Sequence, residues 1–255
     1  MNFDSDEKLR EKQKTEIEFW RTAEHESPES NSIYNLVSKA SIAHVLLDCL
    51  GRHKDRFLPA DGRILELGGG QGWASCVVKN LYPNAQVIAT DISEYAIKSL
   101  SKWEKVFDVQ VDHSYACKSY ETQEDDSSVD IVFCFAAAHH FLAHRRTLNE
   151  LSRILKPGGK VFYFNEPSSS QLLYPAAFRR VNKYRPDVPE DILITAEISK
   201  LADKAGLDFI IDYYPSLLKR GPVEMIYYFV LSKLPFLQKI LPCTANFIFS
   251  KKTNP

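Results

Sequence analysis

The sequence predicts a doubly wound α/β fold, with a mostly parallel sheet and helices on both of its faces. Three observations predict it. Short runs dominated by Val, Ile, Leu and Phe recur at about 63–67, 86–90, 129–135 and 160–165, the composition of strands covered on both sides. Helix-compatible segments with short links separate most of them, the alternation of a parallel sheet. The first run passes directly into Gly68-Gly69-Gly70-Gln71-Gly72. Such a turn bends sharply and leaves main-chain N–H groups open, and at the end of a buried parallel strand it sits where nucleotide-like ligands bind.

In order along the chain, residues 5–22 read as a charged helix anchored by Leu9, Ile17, Phe19 and Trp20. Ser27-Pro28-Glu29-Ser30-Asn31-Ser32 is a break rich in helix-start residues. Ile33, Leu36, Ala40, Ala43, Leu47 and Leu50 then recur at three- and four-residue steps, an amphipathic stripe with Gly51 as its expected stop. A strand at 63–67, a helix at 72–82, a strand at 86–90 and a helix at 93–107 follow. Next come strands at 109–112 and 129–135, a helix at 141–155 and a strand at 160–165. Residues 167–189 form an irregular excursion with Pro167, Pro175, Pro186 and Pro189, carrying Arg179, Arg180, Lys183 and Arg185. A helix at 190–205, a turn at Gly206, a strand at 207–214, a helix over Val223–Ile240 broken by Pro235, and a strand at 244–250 complete the reading.

Bulk properties limit the function. Thirty-two basic against 33 acidic side chains leave a net charge of −1, which advertises no polyanionic partner. Charge is uneven locally, with nine acids against five bases up to Ser30, and six bases against Glu224 alone from Lys219 onward. Cys49, Cys76, Cys117, Cys134 and Cys243 include no C-x-x-C and no zinc or iron–sulfur spacing, and they fit a reducing, cytoplasmic compartment. The acidic N-terminus has no apolar core of a signal peptide. Met225-Ile226-Tyr227-Tyr228-Phe229-Val230-Leu231 is too short to span a bilayer, so no integral membrane association is expected; core or pocket wall is the default, and resting on a membrane or against an oily substrate is the alternative.

The motifs narrow the chemistry. G-x-G-x-x-G fails from each of Gly68, Gly69 and Gly70, and so does the phosphate loop G-x-x-x-x-G-K-[ST]. Glu66, Gly68, Gly70 and Gly72 instead spell E-x-G-x-G-x-G. Val87-Ile88-Ala89-Thr90-Asp91 ends in an acid 19 residues past Gly72, and an acid there can accept both hydroxyls of a ribose. Its alternative role is to cap the helix that starts near Ser93. Leu151 to Phe164 reads L-x-x-x-L-K-P-G-G and then a strand, with Pro157 ending the helix and the glycines allowing the reversal.

Together these stretches, over about residues 62–166, resemble the class I S-adenosylmethionine (SAM)-dependent methyltransferases. The resemblance implies a Rossmann-like, doubly wound, seven-stranded sheet whose last strand is antiparallel. It frames residues 1–52 as an N-terminal helical extension or lid and 53–255 as the SAM domain, with 167–195 and 216–242 as insertions that cap the substrate. It implies that the backbone of Leu67, Gly68 and Gly70, with Gln71 in the same turn, lies beside the methionine part of SAM. Glu66 then orients the ammonium, Asp91 takes the ribose and Ile92 packs on the adenine. The loop after the third strand meets the adenine edge at Ala116 and Cys117, with Asp112 as a competing candidate, and Phe135 closes the set at the end of the fourth strand.

No catalytic triad is visible, and methyl transfer requires none, because orientation supplies much of the acceleration. His139 and His140, at the end of the fourth strand, are the candidate bases, with a structural turn as the alternative. Glu166 is a candidate substrate contact or a cap before Pro167. His144 falls in the stripe Phe141, His144, Leu148, Leu151 and Leu155 and reads as packed; with His140 it lacks a third metal ligand, so no metal is expected. The absence of [DNS]-P-P-[YFW] after the fourth strand, with the near-zero charge, argues against a nucleic-acid acceptor. The expected function is SAM-dependent methyl transfer to O, N or C of a small molecule, with S-adenosylhomocysteine as the product. A catalytically inactive SAM-binding partner subunit and an NAD(P) oxidoreductase are the alternatives.

Overall fold

The structure, a computed structural model, describes residues 6–57, 61–183, 190–218 and 220–252. Tyr184, Arg185, Pro186 and Pro189 of the expected excursion lie outside the described residues, as do Met1–Ser5 and Lys219. Helix α1 (Asp6–Thr22) leads into α2 (Ile33–Arg52), whose N-cap Ser32 accepts the Tyr34 N–H. Gly51 does not stop α2, which runs on to Arg52 and caps at His53. α2 is long and apolar enough by length and composition to cross a membrane. Its last two turns instead bury Val45, Leu46, Cys49 and Leu50 in the core.

Strand β1 (Arg63–Glu66), α3 (Trp73–Leu81), β2 (Gln86–Asp91), α4 (Glu94–Lys98) and α5 (Leu100–Phe107) follow. The helix expected at 93–107 is divided at Ser99. Strand β3 (His113–Ala116) lies four residues past the expected 109–112. Asp112 explains the shift, because its carboxylate accepts the Val87 N–H at 2.8 Å and ties the chain down before pairing starts. The register then aligns Ile88 with His113 and Asp91 with Ala116. β4 (Val129–Phe135) is where the apolar run placed it, and a 3-10 turn (Ala138–His140) precedes α6 (His144–Ile154).

β5 (Leu155–Ser169) is much longer than expected. Val129 pairs with Leu155 and Ile131 with Lys160, so Lys156-Pro157-Gly158-Gly159 loops out between two paired residues of one strand. The chain then forms α7 (Tyr174–Asn182), a two-residue β6 (Leu193–Ile194), α8 (Thr195–Lys204) and β7 (Leu207–Tyr213). Pro222 and Pro235 open α9 (Pro222–Lys233) and α10 (Pro235–Gln238), and β8 (Cys243–Lys251) closes the sheet.

The sheet order is β3-β2-β1-β4-β5-β8-β7, with β6 attached to β5. Strands β1 to β6 pair in parallel, and β8 runs antiparallel to both β5 and β7. The sheet is therefore mixed α/β and Rossmann-like, with seven main strands plus β6. Alternate residues feed two cores: Ile64, Phe133, Phe162 and Phe164 point into one, and Leu65, Val132, Cys134 and Tyr163 into the other. The strand order reverses between β1 and β4, so their carboxyl ends open a crevice at the switch point.

Candidate active site

The crevice is built on the turn after β1. Gly68 and Gly70 take φ of +63° and +56°, which strains any residue carrying a Cβ. A Cβ on Gly68 would stand 3.0 Å from the Phe141 ring, and one on Gly70 would stand 2.9 Å from the Trp20 indole. Glu66 lies beneath the turn, where its Oε2 accepts the Ser75 N–H at 3.0 Å and also the Ser75 hydroxyl. Burial raises the Glu66 carboxyl to about 7, against the lowering effect of Ser75.

Asp91 closes the other side. Its Oδ2 accepts the Gly70 N–H at 2.9 Å and its Oδ1 accepts the Ser93 N–H at 2.8 Å. The side chain thus holds Ser93, the residue that caps α4, and faces the crevice. Burial raises it to about 6 despite the two N–H donors. Cys117 follows β3 and donates its N–H to the Asp91 carbonyl at 2.8 Å. Asp112 is tied to Lys79 and to the amide at the start of β2, the opposite end of that strand from Asp91, so the alternative for the adenine edge falls away.

At the end of β4, Ala136 takes φ of +49°. The chain then aims three successive amides at one carboxylate. Glu166 Oε1 accepts from Ala137 and Ala138, both at 2.8 Å, and Oε2 from His139 N at 3.2 Å. His139 Nδ1 meets the same Oε2 at 2.7 Å. Complete burial pushes Glu166 up, but His139 and the amides outweigh it and hold it below its usual value. Neither His139 nor Glu166 lines the cavity. This corrects the expectation of a His139 base and a Glu166 substrate contact: both are buried and committed to holding the turn.

His140 differs. Its ring lies tilted against that of His139, with centroids 4.2 Å apart, and turns its Nδ1 to Glu16 Oε1 of α1 at 3.0 Å. Burial lowers its pKa, but Glu16 and Asp91 outweigh it and leave the imidazole above its ordinary value. His144 is the packed histidine expected, with burial lowering it to about 4.

The turn after β1 and the segments after β2, β3 and β4 border a cavity of about 700 Å³. Of the residues the sequence nominated, Leu67, Gly68, Asp91, Ile92, Cys117 and His140 line it, whereas Glu66, Gly70, Gln71, Ala116, Phe135, His139 and Glu166 do not. Gln71 is instead turned to the N-terminal segment, donating to the Glu26 carbonyl at 2.7 Å and accepting from Asn35 at 2.9 Å. Phe135 packs edge-on to Trp73 in the core.

Several wall residues were not nominated. α1 supplies Gln13, Glu16, Phe19 and Trp20, and Gln13 donates to Tyr120 Oη at 3.0 Å. Ser119, Tyr120, Leu142 and Glu190 complete other parts of the wall. Phe19 and Trp20 were visible as apolar anchors in a charged helix, but nothing local shows what they anchor to. The wall carries the carboxylates of Glu16, Glu26, Asp91 and Glu190, and among the described residues no Lys or Arg lines it.

Comparison with known proteins bears on the domain and the fold. Residues 65–163 match a family model described as a methyltransferase domain. The chain is 33% identical over 90 residues to ribosomal RNA small subunit methyltransferase C of Haemophilus influenzae, covering 33% of this chain and 26% of that protein. It is 31% identical over 107 residues to a ubiquinone biosynthesis O-methyltransferase of Xanthomonas axonopodis pv. citri, covering 42% and 44% respectively. The matches thus span less than half the length of either relative. Among solved structures, geranyl diphosphate C-methyltransferase of Streptomyces coelicolor, in complex with S-adenosylhomocysteine, superposes with a TM-score of 0.65 at 13% identity, covering 94% of this chain and 98% of that one. The sheet order, the glycine turn and the matched stretch together identify residues 65–163 as a methyltransferase domain on a fold shared with that enzyme.

Proposed function

We propose that this protein transfers the methyl group of SAM to an O, N or C atom of a small-molecule acceptor bound in the same cavity. The observation that carries the reading is Asp91. It is the strand-end acid that lies against the glycine turn and faces the cavity. Each of its oxygens accepts one backbone N–H and keeps a lone pair for a ribose hydroxyl. Gly68 leaves room for the methionine part beside Phe141, and Leu67, Ile92 and Cys117 form the remaining cofactor wall.

SAM supplies an electrophilic methyl on a sulfonium. The protein supplies orientation and exclusion of water, and α1, which lines the cavity with Phe19 and Trp20, serves the second task. His140 is the proposed base for acceptors that must lose a proton, with Glu16 favouring the imidazolium that results. A volume of about 700 Å³ lies within the range of small-molecule sites. Four carboxylates and no lining Lys or Arg among the described residues disfavour a polyanionic acceptor.

The test is calorimetric titration of SAM into the wild type and Asp91→Asn. Loss of a charge-assisted pair worth about 1.5–3 kcal/mol corresponds to roughly 10- to 100-fold weaker binding. Equal affinity in the two proteins rejects the assignment.

A further inference from the structure

The segment between β7 and β8 presents a surface that methyl transfer does not use. In α9 only Leu231 is buried. Val223, Ile226 and Phe229 are 78%, 69% and 50% exposed, and Phe236 of α10 is 62% exposed. A helix apolar nearly all round is ordinarily enclosed by a core or by lipid, and within this chain α9 is enclosed by neither. Its 12 residues reach only about 18 Å, short of the roughly 30 Å of a bilayer core. Pro235 then breaks the helix and turns the chain into α10.

Charge indicates what covers this face. From Leu217 to Ile240 the sequence holds Lys219, Arg220, Lys233 and Lys239 against Glu224 alone. Glu224 is itself engaged by Arg180 at 3.5 Å and Arg220 at 4.0 Å. The Arg220 guanidinium sits 3.9 Å from the Tyr228 ring centroid, and Lys233 Nζ lies 5.4 Å from that of Phe229. Cationic heads beside aromatic rings at the edge of an apolar face suit a headgroup layer. A second copy docked about a two-fold axis would set this basic rim against itself, whereas an anionic surface neutralises it.

We propose that α9 and α10 lie in the headgroup layer of an anionic phospholipid bilayer and seat the protein there as a peripheral, non-spanning anchor. The anchor is linked to the cavity wall through α7. Arg180 reaches Glu224 of α9, and Asn182 exchanges two 2.8 Å hydrogen bonds with the backbone of Glu190, a wall residue.

The test is co-sedimentation of the full chain with vesicles of phosphatidylcholine alone or mixed with phosphatidylglycerol. Binding is expected only with the mixed vesicles and weakens with added salt. The double variant Ile226→Asp/Phe229→Asp is expected to bind roughly tenfold more weakly or worse, and each of Lys233→Glu and Lys239→Glu about fivefold more weakly. Urea unfolding of the same variants shows that they are folded, and because neither this check nor the vesicle readout uses SAM, the test stands or falls apart from the methyl-transfer reading. Three results overturn the proposal: no sedimentation of the wild type with the mixed vesicles, equal sedimentation of the double variant, or a vesicle-indifferent dimer in ultracentrifugation that the double variant dissolves.

Discussion

Three acidic side chains stand at or near strand ends in this protein, and their neighbours give them different work. Glu66 braces Ser75 beneath the glycine turn, Glu166 gathers the amides of Ala137, Ala138 and His139, and Asp91 faces the cavity. In the sequence all three follow apolar runs, so residue type and position alone could not separate them. The separating facts are partners at a distance, such as the 29 residues between Glu166 and Ala137. The loop after β3 shows the same limit. Its register depended on where β3 begins, which a side-chain tie from Asp112 to Val87 sets. The Asp91 carboxyl, raised to about 6 by burial, gives a pH prediction with a definite sign. Only the ionised form accepts both ribose hydroxyls, so SAM affinity is expected to be flat above pH 6 and to fall about tenfold per unit below it. Titrations between pH 5 and 8 check this, and Asp91→Asn is expected to lose the dependence. His140→Ala is expected to lower kcat for a protic acceptor by about 100-fold or more, leaving the SAM dissociation constant unchanged in calorimetry.

At the scale of elements, the apolar strands and the amphipathic α2 were legible because burial on both faces, or on one stripe, imposes a period on the sequence. β3 was not legible: it is an edge strand of His-Ser-Tyr-Ala with no fully buried residue, so no hydrophobic pattern marks it. The position of α1 was hidden for another reason. Its contacts reach far along the chain, with Gln13 and Tyr120 standing 107 residues apart. The turn after β4 makes the strongest prediction here. Glu166→Ala removes a buried carboxylate, leaves three amides without their acceptor and strips His139 Nδ1 of its partner. A loss of about 3–5 kcal/mol in urea unfolding is expected, as for breaking other buried pairs. Glu166→Gln should recover part of it, because one amide oxygen can still accept N–H groups.

At the scale of the whole molecule, the buried carboxyls set part of the pH response, opposed in acid by His144, whose lowered value makes its contribution fade as pH falls toward 4. Glu66 at about 7 and Asp91 at about 6 hold protons more tightly when folded than their ordinary values of 4.5 and 3.8 allow when unfolded. Their stabilising contribution is therefore complete below the ordinary range and lost as pH rises through about 6 and 7. Asp212 acts oppositely: burial raises it, but His53 and Arg52 outweigh that and hold it near 2, so its contribution is lost as pH falls from its ordinary 3.8 toward 2. Urea midpoints are expected to peak on the acidic side of neutrality, and Glu66→Gln should flatten the decline between pH 5 and 8.

The position of α1 also provides an optical handle. The chain has three tryptophans; Trp73 and Trp103 are 7% and 5% exposed within the core, and Trp20 alone lines the cavity. Its indole rests against Gly70, beside the proposed cofactor wall. Intrinsic emission is therefore a label-free reporter of cofactor arrival. Its spectral change should vanish in a Trp20→Phe protein and persist when either core indole is replaced.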